Sequence, residues 1–263
     1  MSLRLLTRYG LPRDMTPPPP AFSPDDINDL RAWFDASDAS SLTLAEDDTE
    51  VSEWQNKAGA SYDLDATAAQ RPTYSPASLN GKATVRFESG DAFRMLDRDL
   101  ISGLPGVTIA FVLRLRETSA SGRPWISIAA GTVGASWLGA AFDTSSGADR
   151  YRVTGRRVFS DSFAADAGAD GLSGWHVAVV RFDYQGRLAQ TLVGGEVKAE
   201  INPFQASGDS DSQNAHSIAV GSNAARNGSW FMGDMAEIVV YERALGSQEV
   251  SDLVAYLEAK WDV

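Results

Sequence analysis

The chain has 263 residues, a length normal for a single large all-β sandwich or barrel. Its 23 Lys+Arg against 35 Asp+Glu leave a formal net charge of −12, which repels a phosphate backbone, and no local basic patch offsets it. With no cysteine, disulfides, thiolate metal sites and thiol nucleophiles are excluded, so core packing must hold the fold.

The chain opens MSLRLLTRYGLPRDMTPPPP. Its one apolar stretch, Leu3 to Leu6, is interrupted by Arg4 and is far shorter than a secretory segment of about 7–15 residues or a spanning helix of about 20. Synthesis in a host cytoplasm without a signal peptide is expected, and no membrane span. Pro17 to Pro20 lack backbone donors and form a stiff polyproline II spacer of about 3 Å per residue. It divides an arm, residues 1–20, from a body, residues 21–263. Leu5, Leu6, Tyr9 and Leu11 give the arm more apolar side chains than a solvated tail requires, so an attachment peptide is expected, with a disordered terminus as the alternative.

Ser23-Pro24-Asp25-Asp26 opens a short helix: a hydroxyl N-cap, proline at the first helical position and carboxylates at the positive end of the dipole. Ile27, Leu30, Ala32, Trp33 and Phe34 supply its packing face. Strand signals follow. In VTIAFVLRLR, residues 107–116, Val107, Ile109, Phe111, Leu113 and Leu115 share one face and Thr108, Ala110, Val112, Arg114 and Arg116 the other. RPWISIAA, SWLGAAF, RYRVTG, GWHVAVVRFDY, RLAQTLVGG, HSIAVGS and FMGDMAEIVVYE come next, separated by Gly, Ser, Asp and Asn turns. The chain closes on a helix capped at Ser247, with Val250, Leu253, Val254, Leu257 and Trp261 at helical spacing. The fold class is all-β: a two-sheet antiparallel sandwich with a short N-terminal helix and a C-terminal amphipathic helix.

LRAWFDASDASSLTL (30–44), VSEWQNKAG (51–59), RPTYSPASLNGKATVRFESGDAF (71–93) and FMGDMAEIVVYERALGSQEVSDLVAYLEAKW (231–261) together resemble the concanavalin A-like lectin/glucanase superfamily in its laminin-G-like branch. The strand, the hinge Tyr241, Arg243, Ala244 and Leu245, and Glu249 in the helix start are the most characteristic residues. The resemblance implies a jelly roll of two curved sheets, of the kind found in bacterial and phage virion proteins. Members bind glycans, bind proteins, hydrolyse glucans or fill space in an assembly, and fold does not choose among these.

Retaining glycoside hydrolysis needs two carboxylates on one face, about 5–5.5 Å apart. The Glu-x-Asp-x-x-Glu pattern of the glucanases is missing. Strict strand alternation sends Asp234 and Glu237 to opposite faces, and Glu237 and Glu242 likewise. His176 and His216 both lie in strand-patterned segments, and GLSG at 171–174 is not a nucleophile elbow. The chain is expected not to be an enzyme, with a glycan-active hydrolase as a lesser alternative. No metal or other cofactor is assigned, although Ca²⁺ is left open at Asp35 and Asp38 and at Asp209 and Asp211, because several members of the family hold calcium through loop carboxylates.

Sugar binding asks for an aromatic face flanked by polar side chains. GSNAARNGSWF, residues 221–231, offers Asn223, Arg226, Asn227 and Trp230 in one turn-rich loop, and Trp137 begins a strand expected nearby. Trp54, Trp125 and Trp175 read as core. The expected whole is a surface component of a phage or phage-like virion. Its arm would grip other particle proteins, and its lectin-like body would face host surface polysaccharide or decorate the shell. A homo-oligomer is expected, since exposed sheet edges must be covered. The alternative is a purely structural virion module without glycan affinity.

Overall fold

A computed structural model describes residues 22–263 except 60, 96–101, 117–122, 131–136, 144–149, 159–160, 162–173, 212–215, 224–225 and 227. The attachment arm, with Leu5, Leu6, Tyr9 and Leu11, lies outside the described residues. Sixteen strands are described. In chain order they are β1 Leu30–Asp35, β2 Leu42–Leu44, β3 Val51–Trp54, β4 Leu64–Asp65, β5 Thr73–Leu79, β6 Lys82–Phe87, β7 Phe93–Met95 and β8 Gly106–Leu115. Then come β9 Arg123–Ala130, β10 Trp137–Asp143, β11 Arg150–Arg156, β12 His176–Asp183, β13 Leu188–Val193, β14 Glu196–Ile201, β15 His216–Val220 and β16 Gly233–Tyr241. The helix α1, Ser247–Trp261, closes the chain.

The strands form two antiparallel sheets. The first runs β14-β13-β12-β8-β16-β6-β5, with β1 added alongside β16. The second runs β11-β10-β9-β15-β7-β4-β3-β2. Between them lies the core. In β8, Val107, Ile109, Phe111, Leu113 and Leu115 all enter it, as their alternation demands. Edge-to-face and tilted rings continue from Phe34 through Trp54, Phe93 and Phe87 to Phe231, with centroids 5.6–6.1 Å apart.

The other face of β8 is buried too. Ala110 and Val112, with Val177, Val179, Ala236, Val239 and Tyr241, meet Val250, Leu253, Val254, Leu257 and Trp261 of α1. A near-continuous apolar run in β8 and β16 is therefore the mark of strands covered on both sides. The N-cap is Gly246, one residue before the expected Ser247. Its N–H donates to Glu249 Oε2 at 2.8 Å.

The hinge between β16 and α1 is fixed by hydrogen bonds. Arg243 forks onto Glu249, with Nη1 2.7 Å from Oε2, and its Nε reaches Asp29 Oδ2 at 3.1 Å. Thr108 Oγ1 donates to the Arg243 carbonyl and accepts from Leu245 N–H, both at 2.9 Å. Gly106 lets this hinge approach: a Cβ there would stand 2.6 Å from the Phe182 carbonyl oxygen and 2.7 Å from the Ala244 nitrogen.

The N-terminal helix is shorter than its cap residues suggested. It is one 3-10 turn, Pro24–Asp26, and the apolar face expected to extend it is the strand β1. Ile27, extended at φ −94° and ψ 129°, already ends the turn, and Asp29 takes a left-handed φ of 67° just before β1 begins. Ala32 and Phe34 then point to the inter-sheet core and Trp33 to the α1 side, a period of two rather than 3.6.

Candidate functional site

One acidic cluster forms where β1 joins β16. Glu237 stands directly opposite Asp35. Lys260 Nζ lies 2.8 Å from Asp35 Oδ2 and 2.6 Å from Glu237 Oε2. Trp261 Nε1 donates to the same Oε2 and Trp33 Nε1 to Oε1, each at 2.6 Å. Lys57 Nζ is 2.9 Å from Asp35 Oδ2 and 3.0 Å from Asp38 Oδ2, and it sits 4.3 Å from the Trp33 ring centroid.

Strand alternation alone misplaces these acids. A bulge between Met235 and Glu237 turns Asp234 and Glu237 to the same side, the one facing α1, because Asp234 pairs with Arg114 and Glu237 with Val112. The expectation that they face opposite ways is thus corrected. The bulge falls where the partner of β16 on that edge changes from β6 to β1. Asp234 is bound by Arg86 at 3.1 Å and Arg114 at 2.7 Å.

Burial raises the Glu237 carboxyl above its ordinary value, against the pull of Lys260. At Asp35 burial also raises, but the Lys260 charge and hydrogen bond, with those of Ser37 and Lys57, hold it below the ordinary value. Two acids pushed apart in this way are what acid–base chemistry uses. Here, however, Glu237 is 0% exposed beneath two indoles and an ammonium, so no substrate atom comes within hydrogen-bond reach of it. The cluster fastens α1 to the sheet.

The second candidate is on the outer face of the second sheet, where Asp65 and Arg94 are half-exposed and Ala219 between the strands is fully buried. The only α-helix among the described residues lies over the first sheet, and none of the described residues forms a helix over the outer face of the second. Leu64, Phe93, Met95, Ile218 and Val220 of that sheet point into the core, which turns Asp65, Arg94 and Ala219 outward. Glu53, Asp65, Arg94 and Ala219 are successive cross-strand partners. Arg94 Nε lies 3.5 Å from Asp65 Oδ2, an ion pair too long to be a hydrogen bond.

The expected sugar-binding loop follows β15 and rises beside this row. Arg226 N–H donates to the Asn223 carbonyl at 2.8 Å, Asn223 N–H to the Gly228 carbonyl at 3.1 Å, and Phe231 N–H to the Gly221 carbonyl at 2.7 Å. Gln70 pins the loop from the segment before β5. Its side chain accepts from Arg226 Nη1 at 2.9 Å and donates to the Arg226 carbonyl at 3.0 Å, and its own carbonyl accepts from Ala92 N–H at 2.9 Å. Trp230 is half-buried at the loop's end. Asn223, Arg226 and Trp230 are therefore brought together as expected, while Asn227 lies outside the described residues.

Trp137 is not part of this group. It opens β10, two strands from β15. Val220, where the loop begins, is level with Ile126 and Ala140, so Trp137 stands three residues, about 10 Å, toward the other end of the sheet. The sequence reading missed Asp65, Gln70 and Arg94. The alternation Phe93-Arg94-Met95 marks Arg94 as outward-facing, but nothing local says that it stands beside residues 65, 70 and 226.

Of the other candidates, Trp54 is fully buried as expected, and Trp175 is half-buried with the Arg114 guanidinium 4.9 Å from its ring centroid. The side chains of Trp125 and His216 are not among those described. His176 is half-buried in β12, its Nδ1 3.1 Å from the Gly174 carbonyl, and burial pulls its pKa down to about 4. Asp209 Oδ1 accepts from Gln185 at 2.7 Å. Among the described residues no group of three or more His, Asp or Glu is placed to hold a metal ion.

Among solved structures, the chain is similar to domain 4 of AbnA, a GH43 extracellular arabinanase from Geobacillus stearothermophilus, in complex with arabinotriose. The TM-score is 0.60 at 15% identity, over 86% of this chain and 98% of that one. It is also similar to Trypanosoma rangeli sialidase, with a TM-score of 0.54 at 14% identity over 89% of this chain. There it spans only 33% of the sialidase chain. At these identities the likeness is one of fold. No curated protein matches the sequence. The expectation that the chain is not an enzyme is corrected by these neighbours. Domains of this fold stand inside an arabinanase and a sialidase, so the fold gives no ground for setting enzymatic work aside. Residues 87–251 match a family described as concanavalin A-like lectin/glucanases, and with both sheets and the closing helix in place, the chain belongs to that superfamily.

Proposed function

We propose that this chain is a glycan-binding module whose site is formed by Asn223, Arg226 and Trp230 of the loop after β15 together with the adjoining polar row of the second sheet. The observation that carries the reading is the two-bond clamp between Gln70 and Arg226. It fixes Arg226 in the loop that also carries Asn223 and the half-buried indole of Trp230, beside a sheet face over which no helix lies among the described residues. A rigid aromatic beside fixed polar groups is what sugar recognition needs, because little ordering entropy is then lost on binding. The arabinotriose held by the similar AbnA domain supports this reading.

The setting we propose is the surface of a phage or phage-like particle, with residues 1–20 gripping other particle proteins and the sandwich turned toward host polysaccharide. It rests on the apolar side chains of the arm and its proline spacer alone. Binding of the purified protein to a panel of bacterial surface polysaccharides, with calcium and then with EDTA, tests the ligand. Trp230→Ala should abolish saturable binding and leave Tm nearly unchanged. A large loss of Tm would make Trp230 a packing residue. New reducing ends released during the assay would make the module an enzyme. Failure of every polysaccharide to bind would favour a structural role, which deletion of residues 1–20 and an assembly assay would then probe.

A further inference from the structure

The polar row is not uniform in charge. Glu53 and Asp65 hold one end, Arg94 comes next, and Arg226 approaches the same corner from the loop through Gln70, whose carbonyl is bonded by Ala92, two residues before Arg94. The second sheet explains why they meet. Arg94 pairs with Ala219 two residues before the loop begins, and Gln70, which holds Arg226, is hydrogen-bonded to Ala92 just before β7. Both arginines are thus set by backbone register and a clamp rather than by flexible reach.

Their hydrogen-bonding capacity is largely unused. Each guanidinium has five N–H donors. Among the described residues, Arg226 uses its side chain only on Gln70 Oε1, and Arg94 has only the long 3.5 Å approach to Asp65. The Arg94 Nε and Asp65 Oδ2 atoms are themselves buried without a hydrogen-bond partner. Both side chains of this ion pair are 38% exposed, so a ligand can reach the rest of the fork. Two neighbouring cations with spare donors, only one of them paired with a carboxylate, make a receptor for an anion. Burial and then the Arg94 charge already pull the Arg226 guanidinium below its ordinary value, with Asp65 opposing. In a chain of net charge −12, a spot that invites an anion stands out from its surroundings.

We infer that this site selects a carboxylate-bearing sugar, a uronic or ulosonic acid unit, with Arg226 and Arg94 gripping the carboxylate while Trp230 and Asn223 contact the ring. The inference rests on the glycan-binding reading above. Carboxylate geometry matches the guanidinium fork, and such pairs are about twice as strong as neutral hydrogen bonds. Asp65 then serves to orient Arg94, its long contact leaving the fork free.

The test is isothermal titration of the full chain with oligomers of galacturonate, glucuronate, mannuronate and guluronate, each beside its carboxyl-reduced counterpart. Reduction keeps the ring stereochemistry and removes the charge. At least one acidic oligomer should bind about tenfold or more tighter than its reduced form, with affinity falling as salt is raised to about 0.5 M. Arg226→Gln and Arg94→Gln should each erase that difference. Arg94→Lys, which keeps the charge and loses the fork, should restore only part of it. Unchanged Tm of the Arg94 variants shows that the sheet has survived the change. If the loop variant misfolds, those on β7 still decide. Equal affinity for acidic and reduced forms overturns the inference and leaves the glycan reading standing. No binding to either form, together with none to the polysaccharide panel, overturns both.

Discussion

Lys260 Nζ, near the end of α1, touches Glu237 Oε2 at 2.6 Å and so compensates a carboxylate that is otherwise entirely enclosed by protein. Asp35 shares the same ammonium at 2.8 Å. Lys260→Met leaves Glu237 buried with its two indole donors and no charge partner. The expected cost is about 3–5 kcal/mol, seen as a fall in the urea midpoint at constant slope. Glu237→Gln, which keeps an acceptor and removes the charge, should cost less. A wild-type midpoint in Lys260→Met would mean that the ammonium contributes nothing to holding the helix.

Arg243 holds the Glu249 carboxyl down to about 2, mainly through their hydrogen bond, and the Gly246 N–H adds to this. A folded value below the unfolded one, 4.5, stabilises the protein above pH 4.5, and the contribution is lost as pH falls toward 2. The Tm difference between wild type and Glu249→Gln should therefore be largest above about pH 5 and should shrink steadily below it. A constant difference down to pH 2 would place the effect in packing or capping alone. Because the pair is partly exposed, added salt should reduce the difference.

Asp91 titrates in the opposite sense. Burial pushes it up to about 6 from 3.8, with Glu88 and Glu50 nearby adding to the rise against the Glu88 N–H that bonds it at 2.7 Å. A raised folded value means that its contribution is complete below pH 3.8 and is lost as pH rises through about 6. Asp91→Asn keeps an acceptor for that N–H and removes the charge. Its Tm at neutral pH should exceed wild type by about 2–4 °C, the gain vanishing near pH 4. A gain that persists at about pH 4 would have another cause.

Gly106 sits where β8, β12 and the hinge converge, with backbone atoms on two sides of its Cα. Gly106→Ala must push the Phe182 carbonyl and the Ala244 nitrogen apart, and a loss of about 2–3 kcal/mol is expected. A Cβ added at Gly59 would meet no atom within 4 Å, so Gly59→Ala should stay within about 0.5 kcal/mol. Chemical denaturation of the two variants side by side compares them directly, and equal stability would show that the hinge yields.

Much of the architecture was legible in short patterns. The alternation in residues 107–116 gave both the strand and its core face, and the helical spacing of Val250, Leu253, Val254, Leu257 and Trp261 gave the buried stripe of α1 residue for residue. Residues 30–34 were misread because Leu30, Ala32, Trp33 and Phe34 satisfy a helical face as easily as a strand covered on both sides. The extended Ile27 and left-handed Asp29 that separate the turn from β1 have no strong local signal. The Asp234–Glu237 relation failed for a related reason: a one-residue bulge inverts alternation, and it sits where β16 changes neighbours, which only the sheet knows. Of the candidate site, the nearness of Asn223, Arg226 and Trp230 was legible because they share one loop.

Periodicity and cap chemistry act over a few residues, so the amino-acid pattern alone settles the class of this protein: a two-sheet sandwich closed by a hinge and an amphipathic helix. Which polar groups meet is a matter of tertiary structure. Gln70 and Arg226 lie 156 positions apart, and Glu237 meets Trp33 across 204, so no local pattern relates them. Strand order also sets which sheet face the helix covers and which it leaves open beside Arg94. Burial then gave one set of charges the work of holding the helix and left the other set its unused donors, because only a buried charge must be compensated within the protein.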